Sequence, residues 1–560
     1  MTSAGTRPRY AYAPPPELGR GAVRRVPIVI VGAGPVGLTA AAELGVLGRD
    51  TLLLDEDDTV SIGSRAICWA KRTLEIFDRI GVADRMVAKG VVWSRGRLFH
   101  RDREVYGFDL LPEPGHRRPA FINLQQYHVE EYLVDRVAEL GRTEIRWRNR
   151  VTGVELLADG GARLTVETPD GAYRIDADWV LAADGVRSPI RRLMGLDFKG
   201  KVFEDRFLIA DVVMKADFPS ERWFWFEPPF HSGRSVLLHR QPDDVYRIDF
   251  QLAPDADPDE ERKPENVLPR LRQMLGPKVE FELEWVSVYT FTCRRMERFR
   301  HGPVFFVGDS AHVVSPFGAR GGNGGIQDVD ALCWKLDLVL AGAAPAALLD
   351  SYDAERVPAA DENLLNSTRS TDFMTPKNQA SADFREAALE LAAELPFARR
   401  LVNSGRLSLP HVYRATPLST PDGDAWDGGP EPGAVAVDAP VDADQGPSWL
   451  LDRLGGRFVL LRFADDAATG GPGDTLADIS PAVEIVTVAR RGSPRGATVL
   501  DPDGTAFRRW AVADGAAYLI RPDQHVAARW RRPTAAAVMG ALDRAIARPP
   551  SADALRAAGG

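Results

Sequence analysis

The stretch VPIVIVGAGPVGLTAAAELGVLGRDTLLLDEDD, Val26–Asp58, decides the fold. It opens on the branched run Val26–Val31 and turns through Gly32-x-Gly34-x-x-Gly37. It continues as an Ala/Leu-rich helix from Val36 to Leu47 and closes on a second buried strand, Thr51–Leu54, followed by four acids. Pro35 fits the first helical turn, where its missing N–H costs nothing. Gly32 permits a tight turn, Gly34 lets backbone N–H groups approach a pyrophosphate, and Gly37 lets the helix pack against the strand with its positive end toward the phosphates. The ribose of a bound dinucleotide needs an acid at the tip of the second strand, and Asp55 stands there, close to the usual ~20-residue spacing. Ile28–Gly48 carries only Glu43 as a charge, but the glycines and Pro35 break it into pieces too short to cross a membrane, so no stable membrane anchor is expected.

Outward from this unit, 560 residues leave room for roughly three or four domains. With 44% apolar and 27% charged residues, the chain reads as a packed protein. Its net charge of −9 and its lack of a Lys/Arg-dense block argue against a nucleic-acid partner. The three cysteines, Cys68, Cys293 and Cys333, suit neither a disulfide scaffold nor a metal site, and read as buried thiols of a reducing cytoplasm. Residues 1–24, with Pro14, Pro15, Pro16 and several arginines but no apolar run, are expected to form a mobile arm rather than a signal peptide.

Two later segments repeat the strand-then-turn pattern. In DADWVLAADGVRSPIRRLMGL the strand Asp178–Ala183 ends at Asp184-Gly185, with Arg187, Ser188 and Arg191 following. In GPVFFVGDSAHVVSPFGARGGNGGIQDVDALCWKL the strand Val304–Val307 runs into Gly308-Asp309, a loop, and a helix from about Asn323 to Leu340.

Taken in order, G-x-G-x-x-G, D-G-x-x-S-x-x-R and G-D-x-x-H…P…G resemble the three fingerprints of the single-component FAD-dependent aromatic hydroxylases, the class A flavoprotein monooxygenases that include para-hydroxybenzoate and 3-(3-hydroxyphenyl)propionate hydroxylases. The resemblance runs from about Arg25 to Pro358 and more weakly beyond. It implies that Gly32, Gly34, Pro35 and Gly37 hold the FAD pyrophosphate, Asp55 the adenosine ribose, and Arg65 the phosphates. Gln126, or Gln125 one residue away, would meet the flavin chain. Asp184 belongs to the fingerprint linked to both FAD and NAD(P)H, and Asp309 would bond the ribityl chain. Pro316, Gly321, Gly322 and Asn323 would lie at the isoalloxazine. There a helix N-terminus stabilises the negative charge of reduced flavin by about 0.3–2 kcal/mol. His312 reads as a packed structural histidine.

The resemblance also implies the reaction. FAD reduced by NAD(P)H meets O2 at C4a, and the hydroperoxide attacks an electron-rich ring such as a phenolate. A phenol needs about 4 kcal/mol to ionise at neutral pH, so a base or hydrogen-bond donors are wanted; Tyr246, Tyr289 and His239 are all open for that part. No second Gly-rich βαβ unit for the nicotinamide is visible, in keeping with transient docking and a flavin that swings out to meet it.

The expected fold class is α/β: a Rossmann-like FAD-binding domain with an inserted, mostly antiparallel β-sheet substrate domain and a C-terminal thioredoxin-like α/β domain. The boundaries expected are 25–197 and 299–370 for the FAD domain, 198–298 for the sheet, 371–434 for a helical segment and linker, and 435–548 for the tail. In the helical segment Pro345 and Pro358 read as punctuation, and Leu418–Asp442, rich in Pro, Gly and Asp, reads as a linker or an ordered wrap. With no cysteine after Cys333, thiol chemistry in the tail is excluded; its role is structural or dimer-forming, which leaves a homodimer open. His525, in a PDQHV hairpin, reads as a surface turn. Trp223, Trp225, Tyr246, Arg247 and Tyr289 are the candidates for lining a cavity over the flavin that would take a small aromatic substrate. The run WFWF also resembles, thinly, the W-x-W element of flavin halogenases. The competing readings are a halogenase or epoxidase on the same scaffold, or a non-catalytic flavin-binding interaction protein.

Overall fold

The opening stretch folds as its residues dictate. The strand Arg24–Val31 pairs in parallel with Thr51–Leu54 on one side and with Gly171–Ala182 on the other, and the helix Pro35–Val46 starts on Pro35 with Gly34 as its N-cap. Strands Thr143–Arg146 and Val304–Phe306 extend the parallel sheet on either flank. The resulting order, last-named strand in brackets, is Thr143–Arg146, Thr51–Leu54, Arg24–Val31, Gly171–Ala182 (Val304–Phe306), a doubly wound arrangement whose ligand-bearing loops follow the strand carboxyl ends. This is a computed structural model, and it describes residues 7–19, 23–63, 65–253, 255–402, 407–467 and 482–549.

A second, eight-stranded sheet is antiparallel except for one parallel pair. Its central strands, Lys199–Met214, Arg222–Phe226, Ser235–Arg240, Val245–Gln251 and Phe281–Arg295, fall inside the expected substrate segment. Arg95–His100 and Arg103–Asp109 join its edge from much earlier in the chain, beside Arg222–Phe226. That addition, at long sequence separation, is invisible to local patterning. One face of the sheet packs Leu208, Val212, Trp225, Tyr246, Ile248 and Phe250 against Val267 and Leu271 of the helix Pro264–Leu275.

The chain forms two compact units. One comprises Met1–Pro112, Pro119–Asp328 and Ala360–Leu409, and so holds both sheets above; the other comprises Glu113–Arg118, Val329–Ala359 and Pro410–Gly560. This division differs from the expected one: the substrate sheet does not separate from the dinucleotide fold, and residues 329–359 belong with the tail.

The expected mobile arm is corrected over residues 7–19, which lie packed on the first unit. Arg9 pairs with Asp58 at 2.8 Å, Tyr10 stacks on Trp147 with 4.4 Å between ring centroids, and buried Glu17 pairs with Arg146 at 2.9 Å. An aromatic stack and a buried ion pair give this Pro-rich stretch enough burial to hold one path. Residues 1–6 lie outside the described residues.

In the second unit a seven-stranded sheet has parallel pairs Phe458–Asp466/Val483–Arg491 and Val483–Arg491/Thr498–Leu500, an antiparallel hairpin Ala517–Ile520/Val526–Trp530, and the helix Ala535–Ala545, a thioredoxin-like arrangement. Its core holds a charge network at 0% exposure: Lys335 Nζ donates to Glu355 Oε2 at 2.6 Å and Arg521 Nη1 to Glu355 Oε1 at 2.5 Å. Two expectations are corrected here. His525 is buried, stacked on Tyr413 at 4.5 Å and hydrogen-bonded to the Asp523 carbonyl, because the hairpin turns inward onto the network. Pro358 does not punctuate; it sits inside the helix Ser351–Met374. The stretch Leu418–Asp442 is an ordered wrap, tied by bonds such as Gly433 N to Val526 O at 2.8 Å.

Candidate functional site

The three Gly/Asp turns meet at one crevice. Gly32, at φ +107, lies so close to the second turn that an added Cβ would stand 2.5 Å from the Ala183 carbonyl oxygen. Gly37 presses on Gly32, where a Cβ would fall 1.9 Å from its carbonyl oxygen. Val36, in the first helical turn, fills the hollow left by the third motif: Cβ atoms on Gly308 and Gly325 would lie 2.9 and 2.7 Å from its methyls. Around Gly34, by contrast, there is open space. The glycines therefore divide into those that bring segments together and one that leaves room for a ligand.

Asp55 Oδ2 accepts from Ala33 N and its Oδ1 from Asp57 N at 2.8 Å, so the carboxylate braces the first turn from the second strand; burial pushes it up to about 6. Asp184 accepts from Ile190 N at 3.0 Å, its Oδ1 is buried without a hydrogen-bond partner, and burial raises it too to about 6. Asp309 is solvent-accessible yet ringed by protein, as befits a side chain lining a cavity, and that crowding raises its carboxyl. Arg65 is exposed at the crevice edge, within electrostatic reach of Asp309 and Tyr289.

Two assignments shift by their bonding. Gln126 is engaged: its Nε2 donates to Ser61 Oγ (3.1 Å) and Glu130 Oε1 (2.8 Å), and its Oε1 accepts from Ala66 N (3.1 Å). Gln125, at the N-cap of the same helix, is 1% exposed with both amide atoms unpartnered. Of the two glutamines the sequence left open, Gln125 is thus the one with unspent hydrogen bonds. The Asn323 side chain is likewise spent, accepting from Ala70 N (2.9 Å) and Thr73 Oγ1 (2.6 Å) and donating to the carbonyls of Cys68 and Ala319. It staples the loop at Cys68–Ala70 to the helix Gly321–Leu340, whose first-turn N–H groups have no partner within the helix. Pro316 is exposed on the loop leading there, and Ala319 is held at φ +53, a conformation a non-glycine residue adopts only under constraint. His312 is buried, its Nε2 2.7 Å from Asp328 Oδ2, which also accepts from Gly308 N: a structural brace.

The eight-stranded sheet turns its other face to this crevice. Arg247 Nη1 donates to the Arg65 carbonyl at 2.9 Å, and Phe207 meets Phe317 edge-on at 5.2 Å. Directly paired residues share a face, so the register Arg222↔His239↔Arg247↔Asp211 aligns four polar side chains, with Asp249 and Tyr289 on the same face. The same register sends Trp223, Trp225 and Tyr246 to the opposite face. There the two tryptophans pack at 5.5 Å and the Tyr246 hydroxyl bonds the Ala216 carbonyl. These three expected cavity residues are therefore corrected to core, and the W-x-W likeness goes with them; Arg247 and Tyr289 lie on the face turned to the crevice. Burial raises the Tyr289 phenol, and burial beside Arg222 and Arg247 holds His239 well below its ordinary value, a neutral imidazole. Arg222, Asp211, Asp249 and Cys68 had no local signal in the sequence; only the strand register collects them. Beside Cys68, apolar Trp93, Phe121, Leu110, Leu111 and Ala319 form a wall.

Fold and crevice define a flavoprotein of the doubly wound class: a glycine turn with room for a pyrophosphate, an unpartnered buried amide and a helix N-terminus are what FAD requires. Residues 25–367 match the model of the FAD binding domain family and residues 429–549 that of the aromatic-ring hydroxylase C-terminal domain. The 6-methylpretetramide 4-monooxygenase of Streptomyces rimosus is 34% identical over 90% of this chain and 91% of its own. A probable NADH-specific resorcinol 4-hydroxylase of Rhodococcus jostii is 29% identical over 92% and 93%. The solved structure of the flavin-dependent monooxygenase PieE, in complex with FAD and substrate, superposes with a TM-score of 0.79 over 94% of this chain and 99% of its own, at 24% identity. The chain belongs to the FAD-dependent aromatic-ring hydroxylases; it is a monooxygenase that uses FAD, with NAD(P)H as reductant. No helix among the described residues is long and apolar enough to cross a membrane.

Proposed function

We propose that this enzyme hydroxylates a phenolic ring held between the crevice and the polar face of the eight-stranded sheet. The observation that carries it is the meeting of Gly32, Ala183–Asp184 and Gly308–Asp309 at one crevice that the Arg222–His239–Arg247–Asp211 row overlooks. Bound FAD, reduced by NAD(P)H, supplies the activation of O2. Gly34 and the N-terminus of Pro35–Val46 hold the pyrophosphate, Asp55 and Arg65 flank the adenosine and phosphates, and Gln125 and Asp309 bond the flavin's chain. The first-turn N–H groups of Gly321, Gly322 and Asn323 face the ring's anionic edge. Trp93, Phe121 and Ala319 exclude water from the reacting face.

The phenol must lose its proton. Among the groups on the chamber face, Asp249 has a carboxylate oxygen, Oδ1, without a hydrogen-bond partner, and burial pushes it up to about 6, against the pull of Arg247 and Arg222. That matches a base working near neutrality better than Tyr289, whose phenol is raised, or His239, whose imidazole is too weakly basic. Relatives named for 6-methylpretetramide and resorcinol support a phenol somewhere between one ring and a polycycle. Cys68, Cys293 and Cys333 form no disulfide among the described residues, which supports a reducing compartment such as the cytoplasm.

The test is direct. The purified protein should show a bound-flavin spectrum, oxidise NAD(P)H faster when a phenol is added, and yield a product heavier by one oxygen. Flavin that binds with no phenol-dependent oxidation and no oxygenated product would overturn the reading.

A further inference from the structure

Arg222 is 5% exposed, yet no hydrogen bond or ion pair among the described residues involves its guanidinium, and its Nε is fully buried without a partner. An isolated buried cation costs several kcal/mol, so natural cores rarely keep one unless something answers it. Its neighbours answer it only in part: Asp249 is within electrostatic reach but makes no hydrogen bond or ion pair with it. Arg247 has the nearby carboxylates, Asp211 at 3.4 Å and Asp249 at 3.8 Å. His239, directly across the strand pair, is neutral, and the Cys68 thiol, 4.0 Å from His239 Nδ1, is pushed up to about 12 by burial and stays protonated. Burial raises Asp211 to about 7 and Asp249 to about 6 and lowers Arg222, so all three groups are held here at a desolvation cost. The Arg222 guanidinium, within electrostatic reach of Cys68, lies toward the apolar wall of Trp93, Phe121, Leu110, Leu111 and Ala319 that Cys68 borders.

We propose that Arg222 anchors an acidic oxygen of the aromatic substrate, a carboxylate or an ionised ring hydroxyl, while the ring lies on the Trp93–Phe121 wall. The guanidinium fork suits a two-oxygen partner, and its desolvation is answered in full only when substrate arrives. The chamber then discriminates by charge as well as shape, since a neutral analogue leaves a buried cation unmet. This rests on the reading that the chamber receives an aromatic substrate, but its readout is ligand affinity, not turnover.

The test uses the full-length, FAD-loaded protein and calorimetry. The probes are 3-(3-hydroxyphenyl)propionate, its carboxamide, and 4-nitrophenol, whose ionisation is read by its visible absorbance. If the anchored oxygen is a carboxylate, the acid binds at least about tenfold more tightly than the amide. If it is a ring hydroxyl, bound 4-nitrophenol ionises about one pH unit lower than free. Arg222→Gln abolishes whichever effect is seen. Neither effect in the wild type, or an effect that survives Arg222→Gln, overturns the proposal. Should Arg222→Gln fail to fold, Arg222→Lys decides: a point charge without the fork must weaken the preference at least about threefold, and an unchanged preference refutes the assignment. A protein that holds no FAD and gives no phenol-stimulated oxidation refutes the hydroxylase reading separately, since these affinities are measured without turnover.

Discussion

Replacing Gly34 and Gly37 by alanine separates the two jobs that glycines do in the first turn. At Gly37 a methyl would lie 1.9 Å from the Gly32 carbonyl oxygen, so the helix must retreat by roughly 1.5 Å to restore an ordinary ~3.5 Å contact. Overpacking of that kind costs about 1–3 kcal/mol or more, and Gly37→Ala should lower the melting temperature of the flavin-free protein as well as its FAD affinity. At Gly34 the backbone sits at φ −75 and ψ 179, which any residue adopts, and nothing lies within 4 Å of the new methyl. The flavin-free Gly34→Ala protein should therefore be as stable as the wild type, or more stable by about 0.4–1 kcal/mol through a stiffer unfolded chain. The methyl occupies the space meant for a phosphate. Losing one charge-assisted contact there is worth about 1.5–3 kcal/mol, roughly a ten- to hundredfold weaker FAD complex. Flavin-fluorescence titration of the stripped protein and its thermal melt measure both quantities. Unchanged FAD affinity in Gly34→Ala would refute the cradle, and a Gly37→Ala melt equal to wild type would refute the close-packing argument.

Gln125→Leu should leave the melting temperature of the flavin-free protein unchanged or higher while weakening FAD binding; Gln126→Leu, which breaks bonds to Ser61, Glu130 and Ala66, should cost about 1–3 kcal/mol of stability. Comparing flavin content and melting of the two variants tells which glutamine serves the cofactor. Tyr246→Phe removes the bond to the Ala216 carbonyl and should cost about 1 kcal/mol of stability, with phenol affinity in calorimetry unaltered. Burial alone would raise Glu355, but Arg521 and Lys335 override it and hold the carboxyl at about 2. Its folded value lies below the ordinary ~4.3, so its stabilisation is complete above that pH and is lost as pH falls toward 2. Glu355→Gln should cost about 3–5 kcal/mol near neutrality by leaving buried Lys335 without its carboxylate, and should flatten the acid limb of a stability-against-pH curve measured by denaturant unfolding.

The dinucleotide unit could be read from sequence because its constraints are local. Gly32, Gly34, Gly37 and Asp55 answer to one turn, and the observed strand Thr51–Leu54 agrees with the pattern to the residue. The chamber face could not be read so. Whether Tyr246 or Arg247 points inward depends on register with strands distant in the chain, and the alternation in VYRIDFQ fits either choice. Apolar and aromatic Trp225 and Tyr246 looked like ligand walls, yet they are what a sheet needs to seat the helix Pro264–Leu275. Gln125 and Gln126 differ only in helix phase, which a single residue of cap placement decides. Pro358 and His525 misled for a related reason: the proline sits inside a long helix and the turn folds inward onto Arg521 and Asp523, and packing rather than propensity settles both.

The division of labour across the eight-stranded sheet bears on how such enzymes diversify. Asp211, Arg222, His239, Arg247 and Asp249 belong to none of the apolar clusters that hold the sheet to its neighbours. Selection, or a protein engineer, can rewrite those five letters and retune which molecule is welcomed without disturbing the apolar packing, provided the buried Arg247–Asp211 pair is exchanged as a unit rather than one partner at a time.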